Sequence, residues 1–67
     1  MTPQQLHAYV AFCQSEVLES AAEQRNRAVG LVVWHLRRQT PARWLPDILY
    51  AQGLPRFAGA MADILSL

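Results

Sequence analysis

Three side chains in this 67-residue sequence are soft enough to hold a transition metal: His7, Cys13 and His35. A chelate built on one helix needs partners three or four positions apart, so that both leave the same face. His7 and Cys13 are six apart, which turns them about 120° from each other on a helix. His35 lies several turns further on. Spacing and ligand number therefore predict no metal site and no cofactor. Thiol catalysis meets the same obstacle. Cys13 would need a histidine base oriented by Asp47 or Asp63, and no spacing brings these together. So short a chain also has little wall for a substrate pocket of roughly 300–1,000 Å³. The expectation is a protein with no catalysis of its own.

Recognition has the denser signal. Trp34, Arg37, Arg38, Arg43 and Trp44 crowd into one short stretch, and Trp and Arg are enriched among residues that carry binding energy. Trp34 is expected in the core. Trp44 stands between Pro41 and Pro46 on a predicted connector, where exposure is expected. Arg37, Arg38, Arg43 and Trp44 are thus the partner-binding candidates.

The net charge of +1 hides a strong segregation. Residues 1–23 carry Glu16, Glu19 and Glu23 and no base. Residues 24–46 carry Arg25, Arg27, Arg37, Arg38 and Arg43 and no acid; residues 47–67 carry Asp47, Arg56 and Asp63. The basic middle makes a small DNA- or RNA-binding regulator the alternative, using 24–46 or a degenerate helix-turn-helix in 46–66. Against it, Arg27 and Arg38 share a side while Arg25 and Arg37 point elsewhere. The last helix also offers one base, Arg56, beside Asp63, where a recognition helix presents several polar or basic groups. The reading favoured by the residues is a small intracellular protein-interaction module, of adaptor or inhibitor type, that binds and modulates a larger protein.

These groups must be carried by helices, because no strand-like alternation occurs. Thr2, Pro3 and Gln5 form a T-P-x-Q start with a capping box. Leu6, Val10, Cys13, Val17 and Ala21 then recur at spacings of four, three, four and four, an apolar stripe with Glu16, Glu19 and Glu23 opposite. Ala28, Leu31 and His35 stay in phase with it, and Glu23 precedes Arg27 by the favourable four residues. The pattern predicts one long amphipathic helix over about 3–38, roughly 54 Å long. The alternative is a break near Ser20, capped through S-x-x-E to Glu23. Within Ala28–Leu36 the apolar side chains point in every direction, so that stretch must be enclosed. It is far too short for a bilayer, which needs roughly 20 residues. Gly30 is a candidate for a close helix crossing.

Thr40-Pro41 stops that helix. Two short helices follow, over about 41–52 and 55–66, with 41–45 a single turn and Gly53 ending the first in a left-handed conformation. Trp44, Ile48, Leu49, Phe57 and Met61 are their expected packing groups, and Ala58, Gly59, Ala60 and Ala62 are read as a close-packing surface. The prediction is an all-α single domain over 1–67. Leu6, Val10, Cys13, Val17, Leu31, Val33 and Trp34 are its core or oligomer residues. A chain this small buries only about 60% of its unfolded surface, and its one cysteine excludes an internal disulfide. With 52% hydrophobic residues, a homodimer is expected. The lone thiol and the absence of a secretory pattern in 1–23 point to the cytoplasm.

Overall fold

The N-terminal helix starts where the sequence places it. In the computed structural model, which describes residues 1–16 and 21–66, Thr2 Oγ accepts from the Gln5 backbone N–H at 3.1 Å. The Gln5 side chain accepts from the Thr2 N–H at 2.8 Å, so two orphan donors are satisfied reciprocally. Four α-helices follow in order: α1 (Pro3–Ser15), α2 (Ala22–Arg37), α3 (Leu45–Ala51) and α4 (Pro55–Leu65), with a 3₁₀ turn at Ala42–Trp44 before α3. The described residues contain no strand.

The single helix predicted over 3–38 does not form. Helix α1 ends at Ser15, and Glu16 takes extended geometry with ψ 91°. Helix α2 begins at Ala22 behind Ala21, which supplies no side-chain cap. Val17, Glu19 and Ser20, including the S-x-x-E cap, lie outside the described residues. The physical reason for the break is size. A 54 Å rod would exceed the 31 Å longest extent of the molecule. Its apolar stripe could not have been covered by the remaining 31 residues. Doubling back lets α2 close on α1. Tyr9 Oη donates to the Ala28 carbonyl at 3.0 Å, and the Arg25 guanidinium donates to the Glu16 carbonyl. The radius of gyration, 10.8 Å, is what a folded chain of this length has, about 10.9 Å.

Break and fold-back turn the interior away from the predicted stripe. On α1 the buried line is Tyr9, Cys13 and Glu16; Leu6 and Val10 are half-buried. On α2 it is Ala28 and Val32, with Leu31 and Val33 half-buried. Trp34 is a correction: it is 50% exposed, not core. Glu16, expected in water, is 8% exposed and receives Arg56 Nη2 on its carboxylate at 2.6 Å. The Glu23–Arg27 pair does not form either; Arg27 donates to the Gln52 carbonyl at 2.8 Å instead.

Leu45, Leu49, Leu54, Phe57, Ala58 and Met61 complete the core from the C-terminal third. Helices α3 and α4 make the most extensive pairing, and Phe12 meets Phe57 edge-to-face at 5.8 Å. The corner between them is set by Gly53, at φ 77°. The Leu54 N–H bonds the Leu49 carbonyl at 3.0 Å and the Gly53 N–H bonds Tyr50, a Schellman closure. Both leucines are fully buried, supplying its usual hydrophobic contact. Gly30 and Gly59 have open space where a Cβ would stand, so neither marks a close crossing within the chain. Ala62 is exposed and Ala60 half-buried, so of the four small residues only Ala58 packs inside.

Candidate functional site

The recognition candidates gather around the C-terminal end of α2. This helix closes with an unusual residue: Gln39 takes φ 61°, the left-handed region that usually selects glycine. The Thr40 N–H reaches the His35 carbonyl at 3.0 Å, and the Gln39 N–H reaches Leu36 at 3.1 Å. The same turn lets Thr40 Oγ1 stand 3.1 Å from His35 Nδ1. The chain then leaves sharply through Pro41 into the 3₁₀ turn, which carries Arg43 and Trp44.

Two Arg–Trp pairs result. Arg38 lies one helical turn beyond Trp34, and its guanidinium carbon sits 4.0 Å from the centre of the indole. The His35 ring meets Trp34 edge-on at 4.8 Å and 83°. Trp34 is therefore held by a cation on its face and an aromatic at its side while half of it remains in water. A cation–π contact at such exposed sites is worth about 0.5–1 kcal/mol, enough to bias the two rotamers. The second pair is looser, with Arg43 6.0 Å from the Trp44 ring centre and Trp44 50% exposed. Arg37, Arg38 and Arg43 are exposed, and among the described residues none of them is ion-paired. The basic end of α2 also matches the polarity of its helix dipole.

Beside Trp34 runs a groove of about 540 Å³, lined by Arg27, Gly30, Leu31, Trp34, His35 and Gln52. The signal that could have located it was present in the chain. Arg27, Trp34 and Arg38 fall within about 40° of one another around a helix. Enclosure of the whole 28–36 stretch was the assumption that hid it.

The chemistry-bearing residues elsewhere are placed apart. His7 is exposed, Cys13 is buried and His35 is half-buried. No group of three or more His, Cys, Asp or Glu gathers among the described residues. Burial pushes the Cys13 thiol above its ordinary range, and the nearby Glu16 charge adds to this against a lowering contact with Tyr9. The Tyr9 hydroxyl is pushed far above its usual value, by burial first and then by Cys13. Both shifts disfavour the anionic forms, so Cys13 sits as a neutral packing group rather than a nucleophile. No described helix is long and apolar enough to cross a membrane. Comparison with protein-family models, with curated proteins and with solved structures gives no match.

Proposed function

We propose that this chain is a small protein-interaction module that binds and modulates a larger protein, as an adaptor or inhibitor does, without catalysing a reaction. The observation that carries this reading is the half-exposed Trp34 braced by Arg38, with the second Arg–Trp pair at Arg43 and Trp44. Exposing half of two indoles forgoes burial that a thin core could use, and Trp and Arg are both enriched in binding hot spots. Arg37, Arg38 and Arg43, none of them ion-paired among the described residues, supply a cationic rim to that aromatic surface. A reducing, cytoplasmic setting suits the single buried thiol.

Self-association belongs to the same proposal, through a different set of residues. A groove of about 590 Å³ between α1 and α4 is lined in part by Ala8, Phe12, Arg56, Gly59, Ala60 and Asp63. Arg56 and Asp63 stand seven residues, or two turns, apart on α4. Two copies with antiparallel α4 helices would bring each Arg56 towards the partner's Asp63. None of the Arg–Trp residues lines this groove.

Tagged protein is incubated with native lysate, half of it nuclease-treated, and captured proteins are identified by mass spectrometry. The reading expects a discrete protein that survives nuclease and is lost from the Arg43→Ala, Trp44→Ala double variant at unchanged helicity. Capture that disappears with nuclease would instead move the assignment to nucleic acid, whose affinity falls steeply with salt.

A further inference from the structure

The outward face of α2 narrows the kind of partner. Its apolar centre is Leu31 and the exposed ring of Trp34, beside Gly30, whose missing side chain leaves open space. Arg27 lines the groove, donating to the Gln52 carbonyl, and Arg38, beyond the lining, lies on the Trp34 face eleven residues away, about 16 Å along the helix. Among the described residues no carboxylate lines the groove, and Glu23 in the first turn is the only acid of α2. A groove with Leu31 and Trp34 at its centre, Arg27 in its wall and Arg38 against its indole is complementary to a helix with an apolar stripe and acidic margins, the helix-in-groove mode of recognition.

Resting on the interaction-module reading, we propose that this groove binds an amphipathic helical segment of an acidic protein. Apolar side chains of the segment fill the space over Gly30 against Leu31 and Trp34, and its carboxylates face Arg27 and Arg38. A second copy of this chain is a poorer occupant. Antiparallel α2 helices would set Arg27 against the other copy's Arg38, and parallel ones would set each arginine against itself. Either arrangement sets like charges face to face. A nucleic acid is also a poorer occupant, because the Arg38 guanidinium already lies on the Trp34 face where a base would stack.

The test uses the full chain carrying Trp44→Phe, so that Trp34 is the only indole. The probe is a synthetic helical peptide of about five turns with a leucine stripe bordered by glutamates. Its control has lysines in place of the glutamates. Trp34 fluorescence is expected to change saturably with the acidic peptide, with affinity at least about tenfold above that of the basic one. Arg38→Glu is expected to reverse that preference. Gly30→Leu adds bulk to the groove from a position where a Cβ meets nothing within 4 Å. It should keep or raise helicity while weakening the acidic peptide by about tenfold or more.

No saturable change, equal affinity for both peptides, or undiminished binding to folded Gly30→Leu would overturn the proposal. So would tighter binding of a single-stranded oligonucleotide than of the acidic peptide. The two readings fail separately. A lysate protein that Gly30→Leu and Arg38→Glu still capture refutes this groove and leaves the module intact. If no protein survives nuclease, the module reading itself falls.

Discussion

Alkaline pH should unfold this protein through Tyr9, and the structure sets the size of the effect. Tyr9 is fully buried, its hydroxyl donates to the Ala28 carbonyl, and its phenol is held far above its ordinary value. In the unfolded chain it ionises near pH 10. Above that pH the unfolded state binds one proton fewer than the native state. The slope of stability with pH is therefore negative, about −1.4 kcal/mol per pH unit for this one group. The contribution is complete below pH 10 and is lost as pH rises from there towards the folded-state value. By pH 11.5 the loss is about 2 kcal/mol, against a total of about 3–10 kcal/mol for a chain of this length. Tyr9→Phe keeps the ring and removes the ionisation, at the expense of one hydrogen bond worth about 1 kcal/mol. The variant should be less stable at pH 7, equal to the parent near pH 10.7, and more stable above it. All six basic side chains are Arg and none is Lys; the buried Cys13 thiol, also raised, adds a loss that begins at lower pH in parent and variant alike, so the difference between the two curves isolates Tyr9. Urea unfolding followed by circular dichroism between pH 7 and 11.5, under reducing conditions, reads the curve. In a Tyr50→Phe background, tyrosinate absorbance should appear together with loss of helix. Parallel curves for parent and variant above pH 10, or tyrosinate forming in folded protein, would refute the reasoning.

Four further outcomes follow from particular contacts. Gln39→Gly should stabilise by about 1 kcal/mol in thermal unfolding, because residue 39 already holds a left-handed φ at a helix end; no gain would mean the turn is not formed in solution. Gly53→Ala should destabilise by at least about 1 kcal/mol for the same reason in reverse, its φ being 77°. Arg56→Ala should cost about 1–2 kcal/mol by leaving the buried Glu16 carboxylate without its cation. An Arg56→Ala, Glu16→Gln double variant should recover part of that loss in a double-mutant cycle. Val32→Asp should abolish folding, while Val33→Asp, on a half-buried side, should leave measurable helix; equal loss in both would put the α2 interior elsewhere.

Local chemistry was legible in this chain wherever it is decided by neighbours in sequence. The Thr2–Gln5 box, the left-handed Gly53, the single turn before α3 and the start of α4 at Pro55 all depend on residues within a few positions. Phase along the chain was not enough to fix what faces inward. Leu6, Val10 and Cys13 do fall on one stripe, yet the interior is centred on Tyr9 and Cys13, because α2 returns against that side. Tyr9 stands outside the Leu6–Val10–Cys13 spacing and could not be placed from it, since a phenol enters a core when it finds an acceptor, and Ala28 is nineteen residues away. Glu16 was misplaced for the same reason: its partners, Arg25 and Arg56, are brought by the fold and not by spacing.

The break after Ser15 also decides what the 28–36 stretch is for. In an unbroken helix, apolar groups on every side would demand enclosure by a second copy. Once α2 lies back against α1 and α3, the core takes Ala28 and Val32, and Val29, Leu31 and Leu36 pack at its edge. Trp34 is left over. A side chain of that size left half in water on a core this small is not a packing necessity, because a polar residue at position 34 would serve the helix equally well. The residues set around it point the same way. Arg38 lies on its face, His35 is fixed beside it by Thr40, and Gly30 keeps the neighbouring surface empty. An indole held in one orientation next to an open trough has little rotamer freedom left to lose on binding, which is how pre-organised contacts gain affinity.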